Sequence, residues 1–164
     1  MKKRCGLLAL FTVAVLMTAC GSKDSAKEDK TDKTEQTQEK DLKSIGEAIV
    51  SKVSFQKELT LVDQEVIKNY ITLEEGVSAL MWMSDGSTAE EVIVFEVPNE
   101  EVGNVQMENA QMYLSDQKSS FEDYIPEEAK RIDDAVMMRD ADKIIVCVSE
   151  DSTQAAQMIE KILN

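Results

Sequence analysis

The side chains able to do chemistry are few in kind. The chain has no histidine, which removes the commonest general base, the Ser-His-Asp and Cys-His nucleophile arrangements and the usual zinc ligands. Carboxylates and sulfur remain. Asp and Glu number 32 against 18 Lys and Arg, and many acids stand in adjacent pairs: Glu74-Glu75, Glu90-Glu91, Glu100-Glu101, Glu127-Glu128, Asp133-Asp134 and Glu150-Asp151. Two acids sharing a cleft can divide the roles of proton donor and acceptor, the chemistry of a carboxylate-based hydrolase. Sequence neighbours on a helix point apart, however. Glu100, Glu101, Glu150 and Asp151 also fall where helices are expected to start, and negative charge is favoured there without any substrate. Met81 and Met83 flank Trp82 on one predicted strand, and Met137 and Met138 lie on a second, expected to be its neighbour. Thioethers can hold cuprous copper, although they also fill irregular core space. Cys147 sits in an apolar run with no adjacent cation to lower its pKa and reads as a buried structural thiol. Asp85-Gly86-Ser87 lacks the alternating acids of a calcium loop, and no motif implies a cofactor.

A different sulfur carries the clearest signal. Lys2, Lys3 and Arg4 precede an apolar run from Gly6 to Val15, which leads into Leu16-Met17-Thr18-Ala19-Cys20-Gly21. That is the layout of a secretory leader. It resembles the bacterial lipoprotein signal, with Met17 where leucine is more usual. The resemblance implies that Cys20 is alkylated with diacylglycerol, that residues 1–19 are removed, and that the protein is held on the outer face of the cell membrane. The run is too short to span about 30 Å of hydrocarbon, which needs about 20 helical residues. Anchorage would rest on acyl chains at about 0.8 kcal/mol per buried methylene, stable once two or more are attached. Cys5 would leave with the leader, so Cys147 would be the last free thiol and no intrachain disulfide could form.

Loss of Lys2, Lys3 and Arg4 would move the formal charge from −14 to −17. Such a field repels phosphates, and no cluster of Lys or Arg offsets it, so nucleic acid is not an expected partner. From Gly21 to Lys40 the chain carries no large apolar residue and cannot bury enough surface to offset the entropy of ordering. Residues 20–40 therefore read as a lipidated cysteine and a flexible tether, with a reach on the order of 25 Å.

Residues 41–164 have the size of one domain. Leu42, Ile45 and Ile49 recur at helical spacing, and Asp63 can cap a short helix holding Val66, Ile67 and Tyr70. Val77 to Met83 and Val92 to Val97 read as a hairpin across Ser84-Asp85-Gly86-Ser87. A long helix capped by Asn99 follows, with Val102, Val105, Ala110, Tyr113, Leu114 and Phe121 on its apolar face. After Tyr124-Ile125-Pro126 and a short acidic helical turn come strands at Val136 to Arg139 and Ile144 to Val148. A last helix then carries Ala155, Ile159 and Ile162 on one side. The expected fold is α+β: an antiparallel sheet of about four strands with helices packed on it, read as two strand-strand-helix units preceded by two helices. The period of two puts Ile93, Phe95, Val97, Ile144, Val146 and Val148 on one face, assigned to the two long helices. The other face, with Val92, Val94, Glu96, Ile145 and Cys147, is too apolar to be freely solvated. Either the opening helices cover it, or it forms an interaction surface with Trp82, Val92, Val94 and Glu96.

Thr88-Ala89-Glu90-Glu91-Val92-Ile93-Val94-Phe95, Tyr124-Ile125-Pro126-Glu127-Glu128 and Ile144-Ile145-Val146-Cys147-Val148-Ser149-Glu150-Asp151 together resemble a family of small membrane-anchored lipoproteins of Gram-positive bacteria, the domain-of-unknown-function 4358 family. The likeness covers nearly all of the chain after the tether. Family members typically have a glycine in the second hairpin, where this chain has Asp140-Ala141-Asp142. The resemblance implies a secreted, lipid-anchored domain and brings no catalytic residues. The expected function is a non-enzymatic module that binds a protein or a cell-envelope component. The alternatives are a carboxylate-based hydrolase or accessory subunit of an envelope enzyme, and cuprous copper binding through Met81 and Met83.

Overall fold

The computed structural model describes residues 31–164, with side chains from Asp41 onward. The leader, Cys20 and the first part of the expected tether lie outside the described residues. The elements run α1 (Thr31–Val50), β1 (Thr60–Leu61), α2 (Gln64–Ile67), β2 (Ser78–Met83), β3 (Glu91–Glu96), α3 (Glu100–Glu122), α4 (Pro126–Asp133), β4 (Val136–Asp140), β5 (Lys143–Val148) and α5 (Ser152–Leu163). The α+β class is as expected, with five antiparallel strands in the order β1-β2-β3-β5-β4. β1 went unread because it contributes only Thr60 and Leu61, opposite Met83 and Trp82. α1 begins at Thr31, so residues 31–40, read as tether, are helical.

Both faces of the sheet are covered, which is why β3 and β5 are apolar at consecutive positions instead of alternating. Ile93, Phe95, Ile144 and Val146 join Met81, Ala110, Tyr113, Leu114 and Ile132 in one cluster, under α3 and α4. Leu80, Trp82, Val92, Val94, Ile145 and Cys147 join Leu42, Ile49, Ala155 and Ile159 in the other, under α1 and α5. The assignment of both long helices to one face is thus corrected. α4 supplies Ile132 to the α3 side, and α5 closes the opposite side. The two strand-strand-helix units consequently send α3 and α5 to opposite faces. A two-fold axis relating antiparallel neighbours stands perpendicular to the sheet and would keep both helices on one face, so no such axis relates the units.

Trp82 and Gly46 explain how α1 seats. A methyl group on Gly46 would overlap the outer ring carbons of Trp82, so the absence of a side chain lets the helix approach the indole. The expected interaction surface is therefore interior: Trp82, Val92 and Val94 are at most 4% exposed. Glu96 is half-buried, with Oε2 3.0 Å from Lys143 Nζ. On α3 the buried stripe also departs from expectation. Val105 is exposed, while Gln106 and Asn109 are buried. Their amides donate to the Thr72 carbonyl at 3.1 and 3.2 Å, and Gln106 Oε1 accepts from the Glu74 N–H at 3.1 Å. Polar side chains sit there because the chain before β2 supplies their partners.

Candidate functional site: a buried carboxylate network

At the end of the sheet where β3 begins and β5 ends, three glutamates are buried together: Glu90, Glu91 and Glu128. Glu90 Oε1 accepts from Arg131 Nη1 at 2.7 Å and from the Gln56 N–H at 2.8 Å. Its Oε2 accepts from the Lys57 N–H at 3.0 Å and from the Thr88 hydroxyl at 3.2 Å. Glu128, one turn before Arg131 on α4, accepts from the Ala89 N–H at 2.7 Å. Arg131 Nε lies 3.1 Å from Glu128 Oε2, but too far off the N–H axis to count as a hydrogen bond. The Glu90–Arg131–Glu128 triad ties α4, the chain before β1 and the start of β3 into one corner. The two carboxylates share one guanidinium, and the Gln56, Lys57 and Ala89 N–H groups and the Thr88 hydroxyl supply the other donors that burial requires.

Glu91 occupies the next position on the strand and so points to the other side, toward α3. Its Oε2 accepts from the Tyr113 hydroxyl at 2.6 Å and from Gln117 Nε2 at 3.4 Å, and among the described residues no cation pairs with it. Burial pushes its carboxyl up to about 8, against smaller downward pulls from Tyr113 and Gln117. Glu91 is therefore a neutral acid at pH 7. Burial raises Tyr113 as well, and the nearby Glu91 charge adds to it. Burial likewise pushes the Cys147 thiol up to about 12, against a smaller pull from Ser149, and leaves it protonated. Cys147 is a core thiol in the α1–α5 cluster.

Three surface clefts are described, and none is lined by these acids or by Cys147. One of about 190 Å³ lies between α4 and the start of α5, where Lys130, Arg131 and Ser149 meet Glu127, Asp134 and Glu150. The second, of about 500 Å³, lies at the opposite end of the sheet, between the 97–100 segment and the β4–β5 hairpin. The third, of about 300 Å³, lies between β4 and the end of α5.

The methionines do not converge. Met81 is fully buried in the α3-side cluster, with Met83 and Met137 packed against it, whereas Met138 faces the other cluster. β2 and β4 are separated by β3 and β5, about 14 Å at the usual strand spacing, so the expectation of neighbouring methionine strands is corrected. Among the described residues no group of three or more Cys, Asp or Glu could hold a metal ion.

The sequence displays the pairs Glu90-Glu91 and Glu127-Glu128 without gathering them. The available signal was parity: Glu91 shares the inward face of β3 with Ile93 and Phe95, and Arg131 follows Glu128 by three positions, at helical contact distance. No family model, curated protein or solved structure matches the chain.

Proposed function

We propose that the protein is a lipoprotein of the family it resembles, anchored through Cys20 to the outer face of the cell membrane, and that its folded head is a non-enzymatic module that binds a protein or cell-envelope component. The observation that carries the non-enzymatic reading is the sealing of the acids. Glu90, Glu91 and Glu128 are 1%, 0% and 4% exposed, and their partners are backbone and side-chain groups of the same chain. A hydrolase's acid and base must reach a substrate from a cleft. The network instead does structural work, joining α3 and α4 to the sheet. Anchorage is supported by the arrangement of Lys2 to Gly21, and α1 leads from the tether onto the sheet face holding Trp82.

Photo-crosslinking in native envelopes, from probes placed at several exposed positions, tests the reading. It predicts a saturable adduct with one envelope component, with unchanged yield in the Glu91→Gln variant. Turnover of an envelope substrate by the purified chain, abolished by Glu91→Gln while the fold persists, would establish the hydrolase instead.

A further inference from the structure

The sheet has two outer edges, and they differ. β1 presents two residues, whereas β4 presents five, Val136–Asp140. The hydrogen-bond parity across the sheet follows from the Val97 N–H donating to the Asp142 carbonyl at 2.8 Å and from the two-residue turn between Asp140 and Lys143. Residues 136, 138 and 140 exchange their bonds with β5, and the main-chain N–H and C=O of Met137 and Arg139 face outward. Among the described residues no strand lies beyond them. Two donors and two acceptors stand in line at strand spacing.

Folded proteins usually guard such an edge with charge, a bulge or proline. The basic residue of β4 is drawn away from that duty. Arg139 Nη1 donates to Asn104 Oδ1 at 2.7 Å and to the Glu100 carbonyl at 3.3 Å. Its guanidinium lies in the slot left by Gly103, where a methyl group would overlap it. The edge also has a cleft on each side: about 500 Å³ beside Arg139 and Pro98, and about 300 Å³ beside Met138 and Leu163. An added strand alternates its side chains between those two sides.

Charge selects the occupant. The clefts carry Glu100, Asp140 and Glu160, besides Asp142, which Lys143 already pairs at 2.9 Å; the cation in their lining, Arg139, is bound to α3, and the whole chain stands at −14. A second copy would bring the same acids and the same net charge against one another. Building on the binding-module reading above, we infer that the outer edge of β4 is a docking edge for an extended, basic polypeptide segment, which adds as a sixth strand and places alternate side chains in the two flanking clefts.

The test uses the full chain and three short capped peptides: alternating lysine and valine, alternating glutamate and valine, and the lysine peptide N-methylated at alternate residues. Anisotropy should show the lysine peptide binding at least about tenfold more tightly than either control. Hydrogen exchange of the Met137 and Arg139 amides should slow at least about tenfold on binding. The inference is overturned if those amides are unaffected, if N-methylation changes nothing, or if β4 is protected by self-association instead. Met137→Pro removes one outward donor without touching the β5 bonds and should lower lysine-peptide affinity at least about tenfold. If that variant still yields the envelope adduct at full strength, the edge assignment fails and the module reading stands. If the unaltered chain yields no adduct at all, the module reading itself fails.

Discussion

Replacing Glu91 with glutamine should make the protein more stable, and increasingly so as the pH rises. The folded carboxyl titrates at about 8 against an ordinary value of 4.5. Between those pH values the folded state keeps a proton that the unfolded chain has released. Stability therefore falls as pH rises, by about 1.4 kcal/mol per unit. Below pH 4.5 both states hold the proton and nothing is lost; above pH 8 the full penalty, about 5 kcal/mol, is present. Glutamine keeps the shape, stays neutral and can still accept from the Tyr113 hydroxyl. Urea unfolding of both proteins from pH 4 to pH 9 isolates the effect, because the general repulsion of an acidic chain is nearly common to the two. The expected result is near-equality at pH 4 and a Glu91→Gln advantage approaching 5 kcal/mol at pH 9, on the order of a typical domain's whole stability. An advantage of the same size at both ends of the range would refute the reasoning.

Three further substitutions probe other parts of the fold. Gly46→Ala should cost about 1–2 kcal/mol, because overpacking against Trp82 outweighs the roughly 1 kcal/mol helix preference of alanine. Fluorescence of this sole tryptophan should shift to the red, and a net gain in stability would contradict the packing. Arg131→Met should cost about 3–5 kcal/mol in denaturant unfolding at pH 7, since Glu90 and Glu128 are left buried without their cation. Adding Glu128→Gln, whose amide oxygen can still accept from the Ala89 N–H, should recover part of that loss, and no recovery would show that the shared cation is not the cause. Ala141 has φ 47°, a left-handed conformation costing a side chain about 1–2 kcal/mol, so Ala141→Gly should raise stability by about 0.5–1 kcal/mol after glycine's larger folding entropy. A lowered urea midpoint would argue against that turn.

The hairpins and the two long helices were legible because each carries its own local signal. Apolar runs bounded by turn residues mark β2 through β5, with β-branched residues concentrated in β3 and β5, and the Asn99 side chain accepts from the Val102 N–H at 3.0 Å to start α3, as its position suggested. Layering was not legible. The α3 cluster and the α5 cluster have equally apolar sheet faces beneath them, and nothing in Ala155 or Ile159 says which to cover. The choice is settled by α4, whose eight residues read only as a short acidic helical turn because Ala129 and Ile132 sit among five charged residues. The interaction surface assigned to Trp82 failed for a related reason. An apolar sheet face looks the same in sequence whether a partner covers it or the chain's own helix does, and the deciding feature was a missing side chain at Gly46. The buried acids were hidden because adjacent carboxylates usually mark solvated surface. Long-range partners turn the two acids inward: the Gln56 and Lys57 amides of the chain before β1 meet Glu90, while Tyr113 and Gln117 of α3 meet Glu91. The positive φ of the second hairpin likewise falls on Ala141, not on the aspartates beside it.

Mass spectrometry of the mature protein from a membrane fraction addresses the anchoring on which the functional reading depends. The account predicts a first residue at Cys20 bearing a thioether-linked diacylglycerol, with the chain leaving the membrane only in detergent. A soluble product with residues 1–19 intact, or with an unmodified Cys20, would contradict it.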